Sequence, residues 1–305
     1  MPQIIANGIP LEYDVHGPEA GEPMLLIMGL GAQMTRWPQE LIDNLAARGY
    51  RVIRHDNRDI GLSHKFEAAG APDMPAIYAA RMAGKAPPVA YVLSDMAADS
   101  AALLDALGHE RAHIVGASMG GMIAQMLAAE HPQKVMSLTS IMSTTGNPDL
   151  PPAKPEAMER LTARGPDPRE DLEGYLAHAL AGAYVMAGPG NPVDEAEQRA
   201  QLASDVQRSF YPVGFSRQMA AIVASGDRRA ALAGITAPTV VIHGADDPLV
   251  PVEGGHDTHA VIQGAEMHVV PGMGHNLPKP LIPRIADLIE RAVVRAREAV
   301  EAVSA

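Results

Sequence analysis

His113-Ile114-Val115-Gly116-Ala117-Ser118-Met119-Gly120-Gly121 is a short β-type run that ends in Gly-x-Ser-x-Gly. It leads straight into a helical pattern, Met122-Ile123-Ala124-Gln125-Met126-Leu127-Ala128. The order strand, tight turn, helix carries more information than the five letters. A sharp turn between a buried strand and a helix holds its serine in a strained, exposed position, and flanking glycines remove the side chains that would collide there. The helix aims its first N–H groups and the positive end of its dipole at the serine oxygen. Ser118 is therefore the candidate nucleophile for attack on a carbonyl carbon. A serine that merely caps the helix is the competing reading.

Outward from this turn the chain alternates strands and helices. Residues 11–17 alternate like a half-buried edge strand, and 24–28 form a continuous apolar run, as a central parallel strand does. A helix is expected over 39–48, a strand over 51–56, an amphipathic helix over 93–107 and a strand over Val135–Met142. Residues 64–91, with four prolines, read as loop. Strands recur at 239–244 and 267–270, with a helix at 253–263 and a long amphipathic helix from Pro283 to Val303. This rhythm implies an α/β fold, a mostly parallel sheet flanked by helices. Residues 145–232 break it, with clustered prolines and helical segments at about 169–186 and 193–225. The expected organisation is a core of 1–144 plus 233–305 with 145–232 inserted as a helical cap.

Composition narrows the function. The chain of 305 residues has a net charge of −12 and no long basic run, which argues against nucleic acid and anionic membranes as partners. With no cysteine, thiolate catalysis, disulfides and cysteine-based zinc sites are excluded. No signal-peptide pattern and no membrane-length apolar stretch is visible, so a cytosolic protein is expected. Nothing in the sequence forbids a homo-oligomer.

A serine nucleophile needs a base, and the base needs an orienting acid. Of 12 histidines, His275 has the right setting, a glycine-rich loop (Pro271-Gly272-Met273-Gly274-His275) just past a strand. Asp246 and Asp247 follow the preceding strand, and one of them should accept the imidazole N–H while the other serves the turn. His55 and His243, at strand ends, are further candidates to line the site, whereas His113 and His131 read as packing or surface residues. His256, Asp257 and His259 have helical spacing suited to a metal but no third well-placed partner outside that run, so no metal or other cofactor is expected. N–H donors for a developing oxyanion should come from Met119 and, in the Met28-Gly29-Leu30-Gly31 loop, from Leu30. Met28, Met34, Met74, Met82, Met119 and Met273 fall on or near these loops and suggest an adaptable apolar pocket, with core filling the competing reading for each of them.

Together these motifs resemble the α/β-hydrolase family, and within it capped serine esterases of the aclacinomycin methylesterase and haloperoxidase-like kinds. Gly116–Gly121 resembles the nucleophile elbow, Met28–Gly31 the oxyanion loop, Asp56–Ser63 the Asp-x-Arg-Gly-x-Gly-x-Ser turn, and Gly272–His275 the histidine loop. Asp247-Pro248-Leu249-Val250-Pro251 resembles the acid loop and favours Asp247 over Asp246. Two positions depart from the family pattern: Met28 stands where many members have histidine, and Asp59 where the turn has glycine. The resemblance implies an α/β-hydrolase core with a helical cap and a carboxylic-ester hydrolase using Ser118, Asp247 and His275 on a small to medium, largely apolar ester. Perhydrolase, acyltransferase or carbon–carbon bond hydrolysis would reuse the same residues, and a non-catalytic ligand-binding protein is the reading of another class.

Overall fold

The computed structural model describes residues 2–304, with side chains through Ala302. Eight strands form one sheet: β1 Gln3–Ala6, β2 Ile9–His16, β3 Glu22–Ile27, β4 Tyr50–His55, β5 Ala112–Ala117, β6 Val135–Ile141, β7 Thr239–Gly244 and β8 Glu266–Val270. Their order is β1-β2-β4-β3-β5-β6-β7-β8. The β1–β2 and β2–β4 pairs are antiparallel, and β4 through β8 are parallel. The first edge belongs to β1, so the strand expected at the edge is an interior one. Four residues with little alternation gave β1 no readable period.

Helices α1 (Gln39–Ala47) and α11 (Ile282–Ser304) cover one face of the sheet, and α3 (Leu93–Ala106) and α4 (Met119–Glu130) the other. Strand periodicity explains the division. Leu25 and Ile27 of β3 join Ile114 and Leu138 under α3 and α4, while Met24 and Leu26 join Val115 and Ile242 under α1 and α11. Both faces are covered, so β3 and β5 read as continuous apolar runs rather than alternating ones. No helix among the described residues is long and apolar enough to cross a membrane.

Two further expectations change. The proline-rich stretch 64–91 contains α2, Met74–Met82, in which the Asp73 side chain caps the Ala76 N–H at 3.0 Å. Pro75 sits in the first turn, where its missing N–H costs nothing. The single helix expected over 193–225 is two, α7 (Glu195–Arg208) and α8 (Pro212–Ser225). Ser209 is extended and Pro212 opens α8, since a residue preceding proline is pushed out of helical geometry.

Between β6 and β7 lie α5 (Pro155–Thr162), α6 (Leu172–Met186), α7, α8 and α9 (Arg229–Leu232), with α10 (Val252–Val261) after β7. Leu176, Leu180 and Leu202 of α6 and α7 form a small cluster of their own. Ala221 and Leu232 of α8 and α9 instead share the cluster of Ile123 and Leu127 in the core. Apolar packing thus ties α8 and α9 to the sheet core, while α6 and α7 share a small apolar cluster of their own.

Candidate active site

β5 ends at Ala117 and α4 begins at Met119, leaving Ser118 alone to turn the chain. Its backbone sits at φ 56°, ψ −121°, a conformation that costs a non-glycine residue on the order of 1–3 kcal/mol. Neighbouring contacts hold it there. The Ser118 N–H donates to Ile141 O at 2.9 Å, and the Ser143 hydroxyl donates to Ser118 O at 2.9 Å. The flanking glycines are required by close approach: a Cβ on Gly116 would lie 2.1 Å from Gly120 O, and one on Gly120 2.0 Å from Ile27 O.

Three side chains from three strand exits converge. Ser118 Oγ is 2.9 Å from His275 Nε2, and His275 Nδ1 is 2.7 Å from Asp247 Oδ2. The second Asp247 oxygen accepts the N–H groups of Leu249 and Val250 at 2.9 and 2.8 Å, which fixes the orientation of the carboxylate. Asp246 does turn work instead, accepting the Gly272 N–H at 2.9 Å. With Asp247 bound to Nδ1–H, Nε2 is left to accept from the Ser118 hydroxyl.

The Met28–Gly31 loop abuts the serine, since a Cβ on Gly29 would lie 3.1 Å from Ser118 Cβ and 3.6 Å from its Oγ. The Asn57 amide donates to Met28 O at 2.8 Å, and Gly31 N–H donates to the Gln218 side chain at 2.9 Å. Gln218 in turn donates to Arg58 O at 2.8 Å, so α8 braces this loop.

The Asp56–Ser63 turn supports the site from below. Asp56 accepts from the Met34 and Leu62 N–H groups at 2.8 Å each and pairs with Arg208 of α7 at 2.7 Å. Asp59, in place of the usual glycine, keeps the left-handed backbone at φ 70°. Its carboxylate is gripped by Arg217 of α8 through two 2.7 Å bonds and by the Tyr91 hydroxyl at 2.7 Å. Burial pushes the Asp59 carboxyl up, but the Arg217 guanidinium, the Tyr91 hydroxyl and the Phe66 N–H outweigh it and hold the group below the ordinary carboxylate range.

His55 and His243 do not line an open site, because both are fully buried. Burial lowers His55 to about 4 and also lowers His243. His243 Nε2 lies 2.8 Å from Val250 O and 3.6 Å from Asp247 Oδ2, behind the acid loop. Asp257 accepts from Thr145 and Asn147 rather than facing His256 and His259 as a metal pair. Met34, Met119 and Met273 are wholly buried core side chains rather than pocket lining, and Met82 is 89% exposed.

One brace has no sequence motif. His275 N–H donates to Met186 O at 2.7 Å, and Gly190 N–H and the Asn191 amide donate to Gly272 O at 3.1 Å each. A Cβ on Gly188 would lie 2.4 Å from Gly272 O. The α6–α7 connector therefore packs backbone to backbone on the histidine loop. Its only visible signal is the run Gly188-Pro189-Gly190-Asn191.

Residues 22–278 match the family model described as alpha/beta hydrolase fold. A putative carbamate hydrolase of Variovorax paradoxus is 30% identical over 272 residues, covering 88% of this chain and 90% of that one. A rhodomycin D methylesterase of Streptomyces peucetius is 28% identical over 280 residues, covering 86% and 87%. Among solved structures, a meta-cleavage product hydrolase from Pseudomonas fluorescens superposes with a TM-score of 0.73 at 20% identity, covering 97% of this chain and 98% of that one. The match across most of the chain, on the parallel sheet and helix layers described above, makes this protein a member of the α/β-hydrolase family of hydrolases.

Proposed function

We propose that this chain is a serine carboxylic-ester hydrolase acting on a small to medium, largely apolar ester through an acyl-serine intermediate. The observation that carries the reading is the continuous relay from Ser118 Oγ to His275 at 2.9 Å and on to Asp247 at 2.7 Å. His275 takes the Ser118 proton as Oγ attacks the ester carbonyl, and Asp247 stabilises the imidazolium that forms. The N–H groups of Leu30 and Met119 bind the oxyanion, each worth about 3 kcal/mol of barrier lowering. His275 returns the proton to the leaving alcohol, and water activated by the same histidine releases the acid. Residues 145–232 act as the cap that selects the substrate. The methylesterase relative supports an ester, and the carbamate hydrolase relative favours a second reading in which the same serine attacks a carbamate carbonyl.

A panel of esters varied in acyl length and alcohol bulk, with matched carbamates, tests both. The ester reading expects kcat/KM to be highest on an apolar ester and to fall by at least about 10³-fold in Ser118→Ala. Faster turnover of the carbamates would select the second reading. Undiminished turnover by a folded Ser118→Ala protein would overturn both.

A further inference from the structure

Two guanidinium groups converge on Gly226, and among the described residues neither has a carboxylate partner. Gly226 follows α8 in a left-handed conformation at φ 53°. Arg228 is 5% exposed and donates to Gly226 O at 3.0 Å and to Thr144 O at 2.6 Å. Its Nε is buried without a hydrogen-bond partner. Arg81 of α2 lies over the same residue, since a Cβ on Gly226 would fall 2.0 Å from Arg81 Nη2. Among the described residues, no Asp or Glu oxygen lies within 4.0 Å of either guanidinium nitrogen set. The acid that acts on Arg228, Asp227, is held by Arg229 at 2.7 Å. Burial accordingly lowers Arg228 to about 10. A buried cation answered only by carbonyl dipoles, beside a like charge, is an arrangement that an incoming anion relieves.

The space beside the two arginines is apolar. A groove of about 340 Å³ runs between α2 and α8, walled by Tyr78, Met82, Met122 and Ile222 with Arg81 and Arg228. Tyr78 and Met82 are 54% and 89% exposed, an unusual cost for large apolar side chains on adjacent turns. A bare inorganic anion would use the cations and leave this wall wet. An alcohol or hydrocarbon would use the wall and leave the cations unanswered.

We propose that the α2–α8 groove is a binding site for a medium-chain alkanoate, its carboxylate between Arg81 and Arg228 and its tail along Tyr78, Met82, Met122 and Ile222. Arg donors suit a planar carboxylate, and the flexible methionines fit a tail of variable length. The proposal stands apart from the reading of Ser118.

Methyl-labelled methionine resonances of the intact chain report the groove locally, because Met82 and Met122 line it. Decanoate should shift both resonances saturably, while acetate and decanol at equal concentration bind at least ten-fold more weakly. Arg81→Gln should weaken decanoate at least ten-fold. Arg81→Glu, which places a carboxylate beside Arg228, should abolish the shifts. Arg81 is surface-exposed, so neither variant should disturb the fold. Shifts confined to Met28 beside Ser118, equal binding of acetate or decanol, or decanoate binding unchanged in Arg81→Gln would each overturn the proposal.

Discussion

Asp59→Gly sets two effects of known size against each other. Glycine relieves the strain of the left-handed backbone at φ 70°, a gain on the order of 1–3 kcal/mol. It also gives the unfolded chain more freedom, which costs about 0.5–1 kcal/mol. The larger effect is the orphaned partner. Arg217 is 3% exposed and loses both 2.7 Å bonds, and an uncompensated buried charge costs about 3–5 kcal/mol. The balance is a net destabilisation of about 2–3 kcal/mol, even though the substitution restores the residue that the family turn carries. Replacing both partners, Asp59→Gly with Arg217→Met, removes the charge as well as its counter-ion and should return stability to within about 1 kcal/mol of the parent. Equilibrium urea denaturation of the four proteins, followed by far-UV circular dichroism and Trp37 fluorescence, measures the cycle. A single Asp59→Gly variant as stable as the parent, or a double variant whose loss is the sum of the singles, would refute the assignment of this pair as the suture between the core turn and α8.

The two adjacent acids should separate cleanly: Asp247→Asn is expected to lower kcat by about 10²–10⁴-fold, because it disrupts the base's tautomer, whereas Asp246→Asn keeps an acceptor for the Gly272 N–H and should leave kcat within about three-fold. Gly188→Ala should lower kcat more than it raises KM on a fixed ester, since the added Cβ pushes on Gly272 O and displaces the loop that carries His275. His55 stays neutral in the folded protein down to about 4, while the unfolded chain protonates near about 6.5, so its stability contribution is intact above that range and lost as pH falls through it. Urea titrations should show His55→Gln losing about 2 kcal/mol less stability than the parent between pH 8 and pH 5.

Most of what positions the site was legible because its parts are short and local. A strand that exits into glycine leaves a signature within a few residues, and Ser118, Asp247 and His275 each follow such an exit. The choice of Asp247 over Asp246 rested on the Pro-x-x-Pro tail, and the hydrogen bonds of the two acids divide the same way. Long-range braces were not legible. Gln218 holds the Met28–Gly31 loop across 187 residues of chain, and Asn191 holds Gly272 across 81, with no periodicity to announce either. Proline misled in one place: Pro75 opens a helix inside a stretch read as loop. For the methionines on these loops the sequence left pocket lining and core filling both open, and burial decides for the core at Met34, Met119 and Met273.

The most direct test of the acyl-serine account is covalent. A p-nitrophenyl alkylphosphonate carries the leaving group and tetrahedral charge of an ester in mid-reaction, and the account predicts a single adduct by intact mass. Peptide mapping should place it on Ser118, with activity lost in proportion to labelling and with labelling strongly slowed in His275→Gln. Ester turnover that persists in the fully labelled protein, or an adduct on any other residue, would contradict it.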